Sequence, residues 1–298
     1  MPVSVTLAVL AAAVTHATWN ALAHRIKDQL VSFGLIGIGA IVASVPLIVA
    51  AAVPRAASWP FLLASVAIHV FYNLFLMRSF TYGDFGQVYP LARGTSPLVV
   101  TALAAVFASE RPPAGQLIGV LIVSAGMATL VLAGRKDAAR ASGGTGGRPP
   151  GRPQQGSPSR AALLAAFATG LTIAAYTVVD GIGVRRSGSP VGYIAWLMLL
   201  MSLCVPAWAI VKRRRQLRRQ PRDVLASGLA AGALSLVAYG LVLWAQTKGA
   251  LAPIAALRET SVIFGAIIAT VAFKEPFGRA RILAATLVAT GIVVLNVA

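Results

Sequence analysis

Some ten apolar stretches punctuate the chain, at roughly 3–24, 30–53, 60–80, 86–108, 115–133, 161–183, 190–211, 225–246, 250–273 and 278–297. Most are 18 residues or longer, enough for a helix to cross a hydrocarbon core of roughly 30 Å. This feature leaves few folds open. Inside a bilayer every backbone polar group must find its partner within the protein, so such stretches are helices. A helix of a soluble protein would carry a charged face opposite an apolar stripe, and these segments are apolar nearly all round. Of the 298 residues, 57% are hydrophobic and 11% charged, against about 25% charged in a typical soluble domain. The sequence therefore predicts an all-α integral membrane protein of about ten transmembrane helices. Met1 to Val14 has no basic start or cleavage motif and reads as the beginning of the first span, not as a removed leader.

The formal net charge of +18 resembles a nucleic-acid signal, but its placement argues against one. Thirteen of the 26 basic residues fall in two loops, Arg135 to Arg160 and Lys212 to Arg222. Charge gathered in loops between apolar spans is the positive-inside pattern, and no basic stripe interleaved with aromatics marks a nucleic-acid face. Loops 1–2, 3–4, 5–6, 7–8 and 9–10 carry 19 Lys and Arg, and the side holding both termini carries five. That count predicts termini outside the cell.

The segment 134–160 contains SGGTGGRPPGRPQQGSPS, too poor in apolar residues to order itself, and is expected to be a flexible linker. It separates two related halves, 1–133 and 161–298. At an offset of 165, Arg93 aligns with Arg258, Thr95 with Thr260, Ser96 with Ser261, Glu110 with Glu275 and Gly126 with Gly291. Nine of the 40 positions in 93–132 are identical without a gap. Near the start of each half, His16-x-x-Trp-Asn20 and Arg25 align with Tyr176-x-x-Val-Asp180 and Arg185, and Tyr72 aligns with Tyr239. Because five spans is an odd number, the second copy enters the membrane from the opposite side. Two inverted five-helix repeats follow, an architecture that places a substrate site near the midplane at the repeat interface.

The segments HATWNALAHR, GDFGQVYPLARGTSPLVV and SERPPAGQLIGVLIVSAG in the first half, with AAYTVVDGIGVR, LAPIAALRETSVIFGAIIATVAFKEP and LVATGIVVL in the second, resemble the drug/metabolite transporter superfamily in its ten-helix EamA branch. The resemblance covers nearly the whole chain. It implies helices around a central cavity, export or exchange of amino acids and other small metabolites, use of the proton gradient in some members, a multi-pass place in the plasma membrane, and cytoplasmic termini. The last point opposes the charge count.

Charged residues within spans are costly, about 2.5–3.5 kcal/mol each at a helix centre, and so face a cavity or a partner. Arg93 and Arg258 lie seven to eight residues into the fourth and ninth spans, each following a proline, Pro90 or Pro253, that makes a helix break plausible. Each arginine either supports such a break or contacts substrate. Glu259 points away from Arg258 on a helix and can meet Arg93 across the pseudo-axis as an ion pair, or carry a proton. Asp180 is either a proton site, as a carboxylate shielded from water, or an interfacial group solvated near Arg185. His16, one turn from Asn20, is a hydrogen-bonding or proton-relay candidate. Tyr72, Tyr239, Tyr89 and Asn20 are candidate cavity-lining, substrate-binding residues. A cavity lined from spans one, three, four, six, eight and nine is expected.

The sequence argues against an enzyme. His16, His24 and His69 sit in separate contexts, and no HExxH, paired-Asp metal motif or GxSxG elbow occurs. The single Cys204 excludes an intrachain disulfide or thiolate cluster. No cofactor, metal, nucleic acid or ATP is expected, a Walker A loop being absent. The expected partners are the lipid bilayer, a small-molecule substrate and, as a candidate, protons. Two arginines in a low-dielectric cavity favour an anionic group, and mid-span tyrosines an amphipathic body. A secondary active or facilitative exporter of an amino acid or carboxylated metabolite fits best, with a lipophilic-cation efflux transporter or a non-transporting membrane interaction protein as the alternatives.

Overall fold

The computed structural model of the chain describes residues 1–23, 26, 28–82, 85–143, 160–273 and 279–297. The first half contains α1 (Val3–Ala23), α2 (Gln29–Ala50), α3 (Trp59–Tyr82), α4 (Phe85–Phe107) and α5 (Ala114–Gly143). The second contains α6 (Arg160–Arg186), α7 (Pro190–Met201), α8 (Cys204–Arg218), α9 (Arg222–Gln246), α10 (Leu251–Arg258), α11 (Ser261–Phe273) and α12 (Arg279–Val297). Helices α7 and α8 form one interrupted span, as do α10 and α11, so among the described residues twelve α-helices make ten passes. Among the described residues, α1, α2, α9, the Phe167–Arg186 part of α6 and the combined Pro190–Arg218 segment are each long and apolar enough to cross a membrane. Large apolar side chains such as Val42, Val49, Val106 and Val293 lie exposed on the outside, as they should where the solvent is lipid.

Helix α5 continues to Gly143, taking in the first ten residues of the expected linker. The stretch Arg135 to Ser142 is rich in Ala, Arg and Lys, all strong helix formers, and nothing in it stops a helix. The glycine- and proline-rich remainder, 144–159, lies outside the described residues, as do His24, Arg25 and Glu275.

Packing shows the duplication directly. Helix α1 runs along α9 and α3 runs along α6. These are one contact with the repeats exchanged, since spans one and six correspond, as do spans three and eight. Likewise α4 packs on α6 while α10 and α11 pack on α1. Two pairs are their own counterparts: α5 with α12, and α2 with α7 and α8. In the first of these, a Cβ on Gly126 would lie 2.8 Å from Val288 Cγ2, and one on Gly291 would lie 2.7 Å from Val123 Cγ2. Gly126 and Gly291 correspond at the same offset of 165 as Val123 and Val288. Only glycine lets the backbones approach so closely, and the same knob fills the same hole twice.

The helix breaks fall elsewhere than the prolines suggest. Helix α4 runs unbroken through Pro90 and Arg93. Pro253 occupies the third position of α10, where a missing N–H costs nothing because the first-turn amides have no intrahelical acceptor. The ninth span breaks six residues later. The Glu259 amide bonds the Ala256 carbonyl at 3.1 Å and the Thr260 amide the Leu257 carbonyl at 3.2 Å, a tightened 3₁₀-type turn of the kind that marks hinges. The Thr260 hydroxyl also donates to Leu257 O at 2.8 Å.

Candidate functional site

A cavity of about 530 Å³ opens between the halves. Its walls come from the later part of α1 (His16, Trp19, Asn20), the early part of α2, the His69–Asn73 part of α3, Arg93 of α4, Tyr176 of α6, the α7–α8 junction, and Ser235 and Tyr239 of α9. It thus occupies the half of the bundle nearer the loops after α1, α3 and α8, opposite the termini. Spans two and seven join the expected wall. Among the described residues span nine contributes no lining side chain and stands behind the wall.

The opposite half is closed. Val5, Val9 and Ala12 of α1 pack against Val242 and Ala245 of α9 and Ile254 and Leu257 of α10. At its outer edge Arg185 Nη1 meets Glu110 Oε1 at 2.6 Å, while Nε and Nη2 donate to the carbonyls of Gln246 and Gly249 at 2.7 Å each. The second Glu110 oxygen accepts from the Leu251 amide at 2.7 Å, where a carboxylate also complements the α10 N-terminus. One acid and one base therefore clasp the ends of spans four, six, eight and nine.

Arg93, 4% exposed, reaches from α4 into the cavity wall. Its Nη1 donates to Ser261 Oγ at 2.7 Å and lies 3.3 Å from Glu259 Oε2; its Nη2 lies 3.0 Å from His16 Nε2. Arginine is always a donor, so His16 Nε2 accepts and its ring proton sits on Nδ1. The other Glu259 oxygen, Oε1, lies 3.6 Å from Arg258 Nη2. Glu259 is fully buried and holds one arginine on each oxygen, so the trio carries net +1. Arg258 Nε and Nη2 have no hydrogen-bond partner among the described residues, although buried donors are nearly always paired. The Arg258 guanidinium carbon instead lies 5.9 Å from the Tyr176 ring centroid. His16 with Arg93 and Tyr176 with Arg258 are the same contact in the two repeats.

Four rings form the apolar end of the cavity. His69 stacks on Tyr176 with centroids 4.2 Å apart, and Tyr72 and Tyr239 approach them edge-on at 5.8–6.4 Å, within the range of favourable aromatic geometry. His69 Nδ1 lies 2.9 Å from the Ser65 carbonyl, an acceptor only, so this nitrogen carries the proton. His69 and Tyr176 were not among the predicted site residues. The signals were present: His69 lies three residues before Tyr72, on the same helix face, and Tyr176 is the repeat counterpart of His16.

Asp180 is fully buried behind Tyr239. Tyr193 OH donates to its Oδ1 at 3.1 Å and Tyr239 OH to its Oδ2. No lysine or arginine is within ion-pair distance of it among the described residues. The alternative of a solvated Asp180 near Arg185 does not hold, because Arg185 belongs to the Glu110 clasp. Asn20, the counterpart of Asp180, lines the open cavity and donates to the His16 carbonyl at 2.9 Å. The structure thus brings together Arg93, His16, Asn20, Tyr72 and Tyr239 at the cavity and sets Arg258, Glu259 and Asp180 one layer behind. The Tyr89 side chain lies outside the described residues.

A bundle of two inverted repeats enclosing a cavity with buried polar groups in its wall is the build of a membrane transporter. The EamA-like transporter family model matches residues 3–132 and again 160–297, and the chain belongs to that family. Among solved structures it is similar to a crystal structure of a protein that superimposes with a TM-score of 0.72 at 17% sequence identity, covering 100% of this chain and 98% of that one. At that identity the likeness speaks for the fold alone. No curated protein matches the sequence.

Proposed function

We propose that this transporter carries small carboxylated metabolites, amino acids or simple carboxylates, out of the cell across the plasma membrane. The observation that carries the reading is Arg93 at the cavity wall, part of a buried trio of net +1. In a site shielded from water, a charge-assisted hydrogen bond to a carboxylate is strong. The four-ring end offers an apolar face for the rest of the molecule, and the volume suits a small ligand. A lipophilic cation fits less well. The acid it would need, Glu259, is buried between two arginines and does not line the cavity.

The test is counterflow in proteoliposomes with a panel of amino acids, carboxylates and lipophilic cations. Arg93→Ala removes a charged hydrogen-bond donor, a loss of about 1.5–3 kcal/mol, so carboxylate flux should fall roughly 10- to 100-fold. Arg258→Ala should cost less, because Arg258 stands behind the wall. Wild-type carboxylate flux in both variants, with cation flux abolished in Glu259→Gln, would overturn the reading.

A further inference from the structure

We infer that an anionic substrate occupies the cavity together with one proton, and that Asp180 holds that proton, reached from the cavity through the Tyr239 hydroxyl. The inference rests on the anion reading above and adds its coupling.

The argument begins with charge. Within the described membrane core the ionisable groups around the cavity are Arg93, Arg258, Glu259 and Asp180, together with His16 and His69. His16 Nε2 accepts from Arg93, so His16 is neutral. Two arginines against two carboxylates make a neutral set. A monocarboxylate bound at Arg93 would leave the set at net −1, and an uncompensated charge in a low-dielectric interior is expensive. One proton restores neutrality.

Geometry selects where that proton goes. Glu259 is held by an arginine on each oxygen, so protonating it would leave both cations uncompensated. Asp180 loses no ion pair on protonation. Among the described residues its hydrogen-bonding partners are hydroxyls: Tyr193 from α7, Tyr239 from α9, and Ser65, beneath His69, from α3. The cation whose charge reaches it is Arg258, which is paired with Glu259 and lies 5.9 Å from the Tyr176 ring centroid. Tyr239 both lines the cavity and donates to Asp180 Oδ2. The transfer balances at Tyr239: its hydroxyl passes its own proton to Oδ2 and takes another from the aqueous cavity, so Tyr239 is unchanged and Asp180 becomes neutral.

The repeat makes the assignment one-sided. The counterpart of Asp180 is Asn20, which cannot titrate, so one repeat carries the proton site and the other a neutral amide.

The experiment uses two ligands that differ only by an α-ammonium group, 3-phenylpropionate and L-phenylalanine. Each is titrated calorimetrically into the purified protein in buffers of different ionisation enthalpy, which yields protons taken up per ligand bound. By linkage the wild type should take up about one proton with 3-phenylpropionate and about none with the zwitterion, and the anion should bind more tightly as pH falls, by up to about tenfold per unit. Asp180→Asn should bind 3-phenylpropionate with no proton uptake. The inference is overturned if the anion binds the wild type without proton uptake, if phenylalanine brings in a proton as well, or if Asp180→Asn keeps the wild-type proton number. The wild-type comparison decides the matter even if that variant does not fold. Anion binding that is unchanged in Arg93→Ala while proton uptake persists would sink the arginine reading and leave Asp180 standing. Binding of neither ligand would remove both.

Discussion

The two repeats share a sequence pattern but use it differently. In the first, α1 to α5 are continuous helices, and His16, Asn20, Tyr72 and Arg93 all face the cavity. In the second, spans seven and nine are broken, and the counterparts of Asn20 and Arg93, which are Asp180 and Arg258, are turned into the protein. One substitution explains much of the contrast. The counterpart of Glu259 is Gly94, where a Cβ would already lie 3.0 Å from Met127 Cβ. A side chain beside the arginine of the fourth span would press on α5, and that span stays straight. The ninth span places a carboxylate there, and the chain turns through a 3₁₀ bend to bring it between the two arginines. A duplicated pattern thus yields one repeat that presents polar groups and one that anchors them.

The sharpest way to break this contrast is to remove the anchor. Glu259→Ala leaves two buried guanidinium groups without their shared acid, which should cost about 3–5 kcal/mol. Thermal unfolding followed by size-exclusion chromatography should show a large loss of folded protein. Survival at wild-type stability would mean the trio is not what holds the ninth span.

A smaller effect tests the symmetry itself. Gly126→Ala and Gly291→Ala each force a methyl against a valine in a tight helix pair, at about 1–3 kcal/mol for overpacking. Because the two contacts are images of each other, the two losses in unfolding temperature should be nearly equal. A large inequality would show that the α5–α12 pair is not equivalent from its two sides.

The smallest effect concerns the closed side. Arg185 and Glu110 are partly exposed, so the ion pair itself contributes about 1 kcal/mol or less. Glu110→Ala should raise hydrogen–deuterium exchange at the Leu251 amide and its neighbours by up to about tenfold without unfolding the bundle. Unchanged exchange would mean that the apolar packing of α1, α9 and α10 seals this side alone.

Much of this was legible in the sequence because lipid simplifies the problem. The apolar runs mark the spans to within a few residues, save that α5 and α8 overshoot, and polar identities at a constant offset mark the duplication. Less legible was which way a side chain turns and where a helix bends. Pro90 and Pro253 looked like breaks, yet one sits in an unbroken helix and the other in a first turn that tolerates it. Asp180 could be placed near a span end but not assigned to α7 and α9, since that depends on helix rotation against neighbours distant in sequence. His69 has no counterpart of its own type in the second half, so the repeat could not flag it.

The elbow of the seventh span has a practical consequence. Cys204 is the first residue of α8, exposed, and the only sulfhydryl in the chain, while its neighbours Ser202 and Val205 line the cavity. A nitroxide or dye attached there would sit on the joint with no competing label to remove. Its spectrum would follow the bending of this span in the unmodified sequence, turning an accident of composition into a built-in gauge of the cavity's width.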